Sequence, residues 1–412
     1  MKSSRRNFIQ SLGVGAASLG VVHQSTANTY EPPKLSKPNA DDQILFVGDN
    51  IAVANTEYGK VRGFILRGIH TFLGVPYGAD TSGKNRFMPP QKPASWTEIR
   101  PALWWGNTAP QIMEKRYANT YASFVDHWNY DDVSEDCLKI NVWTPALDTQ
   151  KRPVVVWLHG GGFVNGNGIE QDGYHGENIS RLGNIVFCSL NHRLGSLGYS
   201  HLKAAGGHPA SGNVGNLDMV AALEWVKNNI ANFGGDASNV TIIGQSGGGS
   251  KVTTLMNMPA AKGLFHKAVV LSGGSLAGVN KEYAEKLGLK IMEEAGLKAG
   301  EIEKLQQIPW REYIDIADRA VVKMADEAKR LNVQRGGYSP VADGVYLNDS
   351  PFFSDATHFS SDIPVIICST FNEQSPSRTD ATLEKLTLAD VKERLKPRFG
   401  EKSGEIADAY AR

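Results

Sequence analysis

Five continuous apolar runs punctuate the chain: Pro153–Leu158, Ile185–Cys188, Val240–Ile243, Ala268–Leu271 and Pro364–Cys368. Short apolar runs bounded by turn residues predict strands buried on both faces, as in a parallel sheet covered by helices. Between the second and third runs, Leu217, Val220, Leu223, Val226 and Ile230 recur every three or four residues, which predicts a helix ending near Asn232 and Gly234. Strand, helix, strand in that order implies parallel pairing. Upstream, the β-prone segments Ile51–Val53, Val61–Leu66 and Phe72–Val75 alternate with glycines and predict a small antiparallel opening to the sheet. Residues 280–333 then turn charged, with amphipathic stretches at 283–295 and 313–331 that predict helices packed over the sheet as a cap. Residues 384–412 are again polar and helical in pattern, and no internal repeat is visible.

Composition narrows the possibilities. Counting glycine and leaving out tyrosine, about 48% of the 412 residues are apolar, within the globular range of about 45–50%, so a sizeable core is available. Lys+Arg and Asp+Glu are both 43, so no net field attracts nucleic acid or an anionic membrane surface. The N-terminus carries Arg5-Arg6, an uncharged run from Ser11 to Val22, and the small residues Ser25-Thr26-Ala27. That order is expected of an export signal over residues 1–27, with paired arginines of the twin-arginine kind, and so of a periplasmic or secreted protein. The apolar run is too short to span a membrane. Residues 28–42, with Pro32, Pro33 and Pro38, are expected to form a flexible leader before a domain over 43–412. Three cysteines, Cys137, Cys188 and Cys368, form no CxxC pair, which suggests neither a metal site nor a disulfide framework. Cys188 and Cys368 lie in apolar runs and are expected to be buried.

The chemistry concentrates in two glycine clusters. Gly244-Gln245-Ser246-Gly247-Gly248 follows the strand Val240–Ile243 and precedes a helical pattern from Gly248 to about Met256. In that context GxSxG is a sharp strand-to-helix turn that lifts a serine hydroxyl above the sheet edge. Without the flanking strand and helix it would be an ordinary glycine-rich turn. Serine also needs a base and donors for the oxyanion. His159-Gly160-Gly161-Gly162-Phe163 follows the strand Val154–Leu158, and such a run lets backbone N–H groups point into a site alongside that of Gly247. It lacks the Gly-Lys-Ser/Thr of a phosphate-binding loop and the GxGxxG of a dinucleotide site.

Further segments share an order and spacing: Ser134-Glu135-Asp136-Cys137-Leu138, Asn141–Pro145, HGGGF at 159–163, Asn191–Gly195, Gly212–Asp218, Asn232–Asp236 and GQSGG at 244–248. With these the chain, from about residue 46 to 376, resembles the type-B carboxylesterase/lipase family, which includes cholinesterases and bacterial para-nitrobenzyl esterases. The resemblance implies an α/β-hydrolase fold, with a mostly parallel central sheet flanked by helices. It implies Ser246 as nucleophile, the N–H groups of Gly161, Gly162 and Gly247 as oxyanion hole, and Glu373 as triad carboxylate. It also implies structural ion pairs of Arg86 with Glu135 and of Arg193 with Asp218. No cofactor or metal is implied, and the expected partner is a small or medium uncharged ester.

The chain departs from the family pattern in several places. Triad order in this fold is Ser, acid, His, yet all ten histidines precede Glu373. The expectation is therefore a family member truncated at its C-terminus, without the last strand and histidine loop. Removing a triad member leaves only a roughly 10³–10⁴-fold acceleration, so the 412 residues alone are expected to be nearly inactive. His127 and His159 lie closest in sequence to site-forming loops, although core or surface packing is the default for both. Gln245 stands where the family commonly has glutamate, Gly247 where it has alanine, and Ala109 where it has a partner for Cys137. The aromatics Tyr117, Tyr121, Phe124, Trp128 and Tyr130 either line a leaving-group pocket or only pack their loop. Two other readings stay open: a non-catalytic binding protein on the same fold, and an esterase of the hormone-sensitive-lipase kind, which would lack the SEDCL and NFGGD segments. Oligomeric state is not legible.

Overall fold

The computed structural model describes residues 44–112, 132–275, 278–331, 333, 337–348, 360–370, 373 and 380–411. The expected export signal and leader, His127, and the aromatic stretch 117–130 lie outside them. In chain order the strands are β1 (Leu45–Phe46), β2 (Val53–Thr56), β3 (Gly59–Arg62), β4 (Phe64–Leu66), β5 (Ile69–Pro76), β6 (Arg100–Pro101), β7 (Lys139–Thr144), β8 (Arg152–Leu158), β9 (Val186–Leu190), β10 (Gly235–Gln245), β11 (Lys267–Leu271) and β12 (Val365–Cys368). Nine of them form one mixed sheet in the order β1-β4-β5-β7-β9-β8-β10-β11-β12. Pairing is antiparallel from β1 to β9 and parallel from β9 through β8, β10 and β11 to β12.

The helices are α1 (Glu177–Gly183), α2 (Gly195–Tyr199), α3 (Val214–Asn229), α4 (Gly247–Met256), α5 (Lys281–Glu294), α6 (Ile302–Gln307), α7 (Trp310–Lys323), α8 (Ala325–Arg330), α9 (Leu388–Phe399) and α10 (Ser403–Tyr410). The periodic residues Val220, Leu223, Val226 and Ile230 pack with Val154, Val156, Val240 and Ile242 in the main core. Alternate residues of the strands point to the other face, where Ile69, Trp143 and Phe187 form a smaller cluster with Val155 and Trp157 at its margin. Each fully buried Val, Ile or Phe contributes about 1.5–3 kcal/mol relative to exposure, so the main core on one face and the smaller cluster on the other hold β8, β9 and β10 together. Tyr283, Leu287 and Ile291 of α5 meet Tyr313, Ile316 and Ala320 of α7 in a separate cap core that also holds Leu197 and Tyr199 of α2.

Two expectations need correction. The run Val61–Leu66 is two strands, not one: the backbone bends at Gly63, so β3 joins β2 and β6 in a separate three-stranded sheet while β4 joins the large one. A Cβ on Gly63 would lie 2.0 Å from the Thr71 carbonyl oxygen, so glycine is what lets the two sheets meet there. The run Pro364–Cys368 does form β12, but its residues are exposed, Ile366 by 62% and Ile367 by 64%. Among the described residues β12 is the outer strand, paired only to β11, and no helix covers it. Cys368 is accordingly exposed, whereas Cys137 and Cys188 are buried, and all three thiols are free.

Both expected ion pairs form; the first reaches the helical cap, and the second joins the segment after β9 to the sheet-covering helix α3. Arg86 grips Glu135 through Nε to Oε1 at 2.6 Å and Nη2 to Oε2 at 2.5 Å, and its Nη1 donates to the Ile308 carbonyl before α7. Arg193, after β9, meets Asp218 of α3 through Nε to Oδ2 at 2.8 Å and Nη2 to Oδ1 at 2.6 Å, and the Arg193 backbone N–H donates to Oδ2 at 3.0 Å. The remaining donor, Nη1, reaches the Met88 carbonyl at 2.8 Å. Both side chains of this second pair are almost wholly buried, 2% and 0% exposed. Removing one partner from such a pair leaves an uncompensated buried charge. Asp218→Asn is therefore expected to cost about 3–5 kcal/mol, read as a fall in the urea unfolding midpoint. A loss below about 1 kcal/mol would show that the pair is incidental.

Candidate active site

Five parallel strands end on one edge of the sheet, at Leu158, Leu190, Gln245, Leu271 and Cys368, and all but β11 are followed by a segment that the sequence had singled out. The carboxyl edge of parallel strands is where ligands bind in α/β folds. Ser246 sits at the junction of β10 and α4 with φ 56° and ψ −119°, a region that costs a non-glycine residue about 1–3 kcal/mol. The strain persists because the neighbours dictate it. The Ser246 N–H donates to the Leu271 carbonyl at 2.9 Å, and its own carbonyl accepts from Ser250 N–H at 3.2 Å. A Cβ on Gly248 would lie 2.0 Å from the Leu158 oxygen, so only glycine lets α4 start this close to β8. The result is an exposed serine whose hydroxyl does not cap the helix it precedes.

The loop after β8 lies against this turn. Gly161 and Gly162 take φ of 80° and 63°, left-handed values that glycine adopts without penalty. The Gly161 carbonyl turns back to accept from Asn165 N–H at 3.0 Å. Gly162 is packed so close to Gly247 that a Cβ on Gly247 would come within 2.2 Å of the Gly162 nitrogen. The backbone of the loop and the first residue of α4 are thus brought together at the positive end of a helix dipole. A Cβ on Gly160 would stand 3.9 Å from the Ser246 Cβ, which puts the loop beside the serine.

Beneath the loop is a polar cluster that the motifs did not announce. Lys251 of α4 is 0% exposed, and its Nζ donates to the His159 carbonyl at 2.8 Å and the Gly160 carbonyl at 3.3 Å. Burial lowers its pKa from the ordinary 10.5 to about 7, opposed by the charge of Glu170. The His159 ring stacks on that of His192 with centroids 5.2 Å apart. Its Nδ1–H donates to the Gly160 carbonyl at 2.9 Å. Burial, and then the charge of Lys251, hold His192 well below the usual histidine range. The signal was present in the spacing: Lys251 lies three residues after Gly248 and four before Leu255, on the buried face of α4.

Glu373 is exposed, and its Oε1 accepts from the Thr370 N–H at 2.7 Å. A hydrogen bond from Ser272, then that from Thr370, holds the carboxyl below the usual range. Ser272 is the residue after β11, with φ 48°, and the next residue, Gly273, backs onto Ser246 so closely that a Cβ there would lie 2.0 Å from the Ser246 oxygen. The structure therefore gathers Ser246, Gly161, Gly162, Gly247 and Glu373 at one edge, and keeps Arg86, Glu135, Arg193 and Asp218 in the supports behind it. His159 is at the site but buried under the loop.

A serine on a strained strand-to-helix turn, at the carboxyl edge of a mixed sheet flanked by helices, defines the α/β-hydrolase class. The model of the carboxylesterase family matches residues 50–400, and the chain belongs to that family. It is 34% identical to the para-nitrobenzyl esterase of Bacillus subtilis over 354 residues, covering 83% of this chain and 69% of that protein. It is 33% identical to the acetylcholinesterase of Gallus gallus over 326 residues, 76% of this chain and 41% of that one. Among solved structures, a carboxylesterase of Geobacillus stearothermophilus superposes with a TM-score of 0.69 at 34% identity, covering 85% of this chain and 68% of the other. Among the described residues no helix is long and apolar enough to cross a membrane.

Two outcomes follow from the packing. Gly247→Ala forces the Gly162 backbone to move, and overpacking of this kind is expected to cost about 1–3 kcal/mol, seen as a lowered urea midpoint. A neutral result would mean that the loop yields freely. For Lys251 the sign runs as linkage requires: the unfolded chain holds the proton up to about 10.5, the folded chain only to about 7, so burial of the charge costs stability fully below pH 7. Stability is expected to rise with pH between those values, by up to about 1.4 kcal/mol per pH unit from this group. The rise should vanish in Lys251→Met, measured by urea midpoints across that range.

Proposed function

We propose that the protein is a serine carboxylic-ester hydrolase acting through an acyl-enzyme on small or medium uncharged esters. The observation that carries this reading is the strained, exposed Ser246 with the Gly162 backbone packed against Gly247 beside it. In this mechanism the Ser246 Oγ attacks the ester carbonyl carbon, and the carbonyl oxygen becomes an oxyanion. The N–H groups of Gly161, Gly162 and Gly247 are assigned to hold it, each such donor contributing about 2.7–4 kcal/mol in comparable sites. As Oγ attacks, a general base takes the Ser246 hydroxyl proton. Collapse of the tetrahedral intermediate breaks the bond to the alkoxy oxygen, which leaves as the alcohol with that proton, and water then cleaves the acyl group from Ser246 as the acid and restores the hydroxyl. Glu373 is assigned as the carboxylate that orients the base. The neutral, exposed Gln245 next to the serine supplies no charge to select cationic substrates.

No histidine follows Glu373 in the 412 residues. Of those beside the loop, His159 and His192 are buried, 1% exposed each, with Nδ1 donating to the carbonyls of Gly160 and Arg193, so neither is assigned as the base. On these residues alone the expected rate is the remainder that oxyanion hole and binding supply, roughly 10³–10⁴-fold over water. The amino-terminal pattern supports export to the periplasm or beyond, and no affinity for nucleic acid is proposed.

The test is labelling by a fluorophosphonate probe, with and without added imidazole as a diffusible base. The 412-residue chain should label slowly, faster with imidazole, and not at all as Ser246→Ala. Labelling that survives Ser246→Ala would remove the nucleophile assignment. Binding of esters without any labelling would favour a non-catalytic binding protein on this fold. Ester turnover at ordinary enzyme rates, about 1–10³ per second, would show that a base is already present.

A further inference from the structure

We propose that Lys251 is a positioning residue for oxyanion formation, acting through the peptide between Gly160 and Gly161; the proposal rests on the ester-hydrolase reading above. Lys251 lies on α4 five residues after Ser246, wholly buried, with its Nζ 3.3 Å from the Gly160 oxygen and 2.8 Å from the His159 oxygen. The Gly160 carbonyl and the Gly161 N–H belong to one peptide unit, and the chain has no cis peptide among the described residues. In a planar trans peptide the oxygen and the hydrogen point to opposite sides. A cation behind the oxygen therefore faces away from the side on which the Gly161 N–H donates.

Two consequences follow for the loop. The ammonium fixes the orientation of the peptide plane, since the Gly160 oxygen is held by both Lys251 and the His159 Nδ1–H at 2.9 Å. It also polarises the unit, because hydrogen bonds in series strengthen one another in a low-dielectric interior. A donor set that is aimed and polarised before the charge develops needs no reorganisation when it does. The same lysine joins the helix that carries the nucleophile to the loop that carries the donors, so the two halves of the site keep a fixed separation.

The charged and titratable groups facing Lys251 are few. Glu170 favours its ammonium form, His159 Nδ1 stands 3.4 Å away, and His192 lies beyond it in the ring stack, held neutral by burial. Arg193 adds a further positive charge near His192. Burial brings the lysine's own titration to about 7, so the contribution of its charge fades across the neutral range.

The experiment compares fluorophosphonate labelling of the 412-residue chain with that of Lys251→Met from pH 6 to 9, each at the same imidazole concentration. The ratio of the two rate constants cancels the pH dependence of probe, serine and imidazole. At pH 6 the wild type should label faster by on the order of tenfold, less than the 10²–10³ that loss of a whole oxyanion donor costs. The ratio should fall toward one as pH rises through about 7. A ratio near one throughout, or one that is large but independent of pH, would overturn the proposal while leaving the hydrolase reading intact. Absence of Ser246-dependent labelling in the wild type would overturn both. If Lys251→Met does not fold, Lys251→Gln, which keeps an N–H donor without the charge, is judged by the same pH-dependent ratio.

Discussion

The site depends on a backbone conformation that the serine would not choose. At φ 56° and ψ −119° Ser246 stores strain of about 1–3 kcal/mol, and the fold has to supply that from elsewhere. It does so through three contacts of the main chain: the hydrogen bond to Leu271, the approach of Gly248 to Leu158, and Gly273 behind the Ser246 carbonyl. Leu158 ends β8, whereas Leu271 and Gly273 belong to β11 and to the turn that follows it. The elbow is therefore only as rigid as the registry of β8, β10 and β11, which the two core faces maintain. Exposure of the serine is a product of the buried sheet beneath it.

The buried ion pairs extend the same logic to the cap. A charged pair gains little over a hydrophobic contact of equal volume, but an unsatisfied one is costly, and so it tolerates few alternative arrangements. Arg193 uses each of its nitrogens on Asp218 or Met88, and Arg86 reaches both Glu135 and Ile308. These bonds join segments from the sheet, from the loop before β7 and from the helical cap. Of the two, only Arg86 reaches the helical cap, through the carbonyl that precedes α7.

How much of this was legible in the sequence varies with the physics of each feature. Strands β8 to β11 were readable because their apolar runs are unbroken, although only β9 is buried on both faces and the others alternate buried with half-buried residues, and α3 because its buried face repeats at helical spacing. The GxSxG and HGGG turns were readable because close approach leaves glycine no substitute. Pattern failed where tertiary context decides: β12 has the composition of a covered strand and no cover among the described residues, and the bend at Gly63 divides one run between two sheets. Glu373 could be placed only through family resemblance, since an exposed carboxylate in a loop has no pattern of its own. Lys251 was missed because a lysine in a helix just after a glycine-rich turn reads as solvent-facing, although its spacing from Gly248 and Leu255 puts it inside.

The departures from the family pattern bear on one another through the loop at 160–162. Without a Cβ at Gly247, the Gly162 backbone occupies the space that a methyl group would fill. From below, Lys251 holds the carbonyls at the other end of the same loop. The loop is thus gripped between a vacancy filled by its own backbone and a buried cation. Residues that share such an element do not act additively. A methyl at 247 lifts Gly162, and the peptide planes that Lys251 holds must then either tilt with it or resist. The geometry of the N–H groups is a joint property of both positions, and neither glycine motif taken alone defines it. Gln245 lies beside the same loop, its Oε1 3.7 Å from where a Cβ on Gly160 would stand, and brings no charge to it.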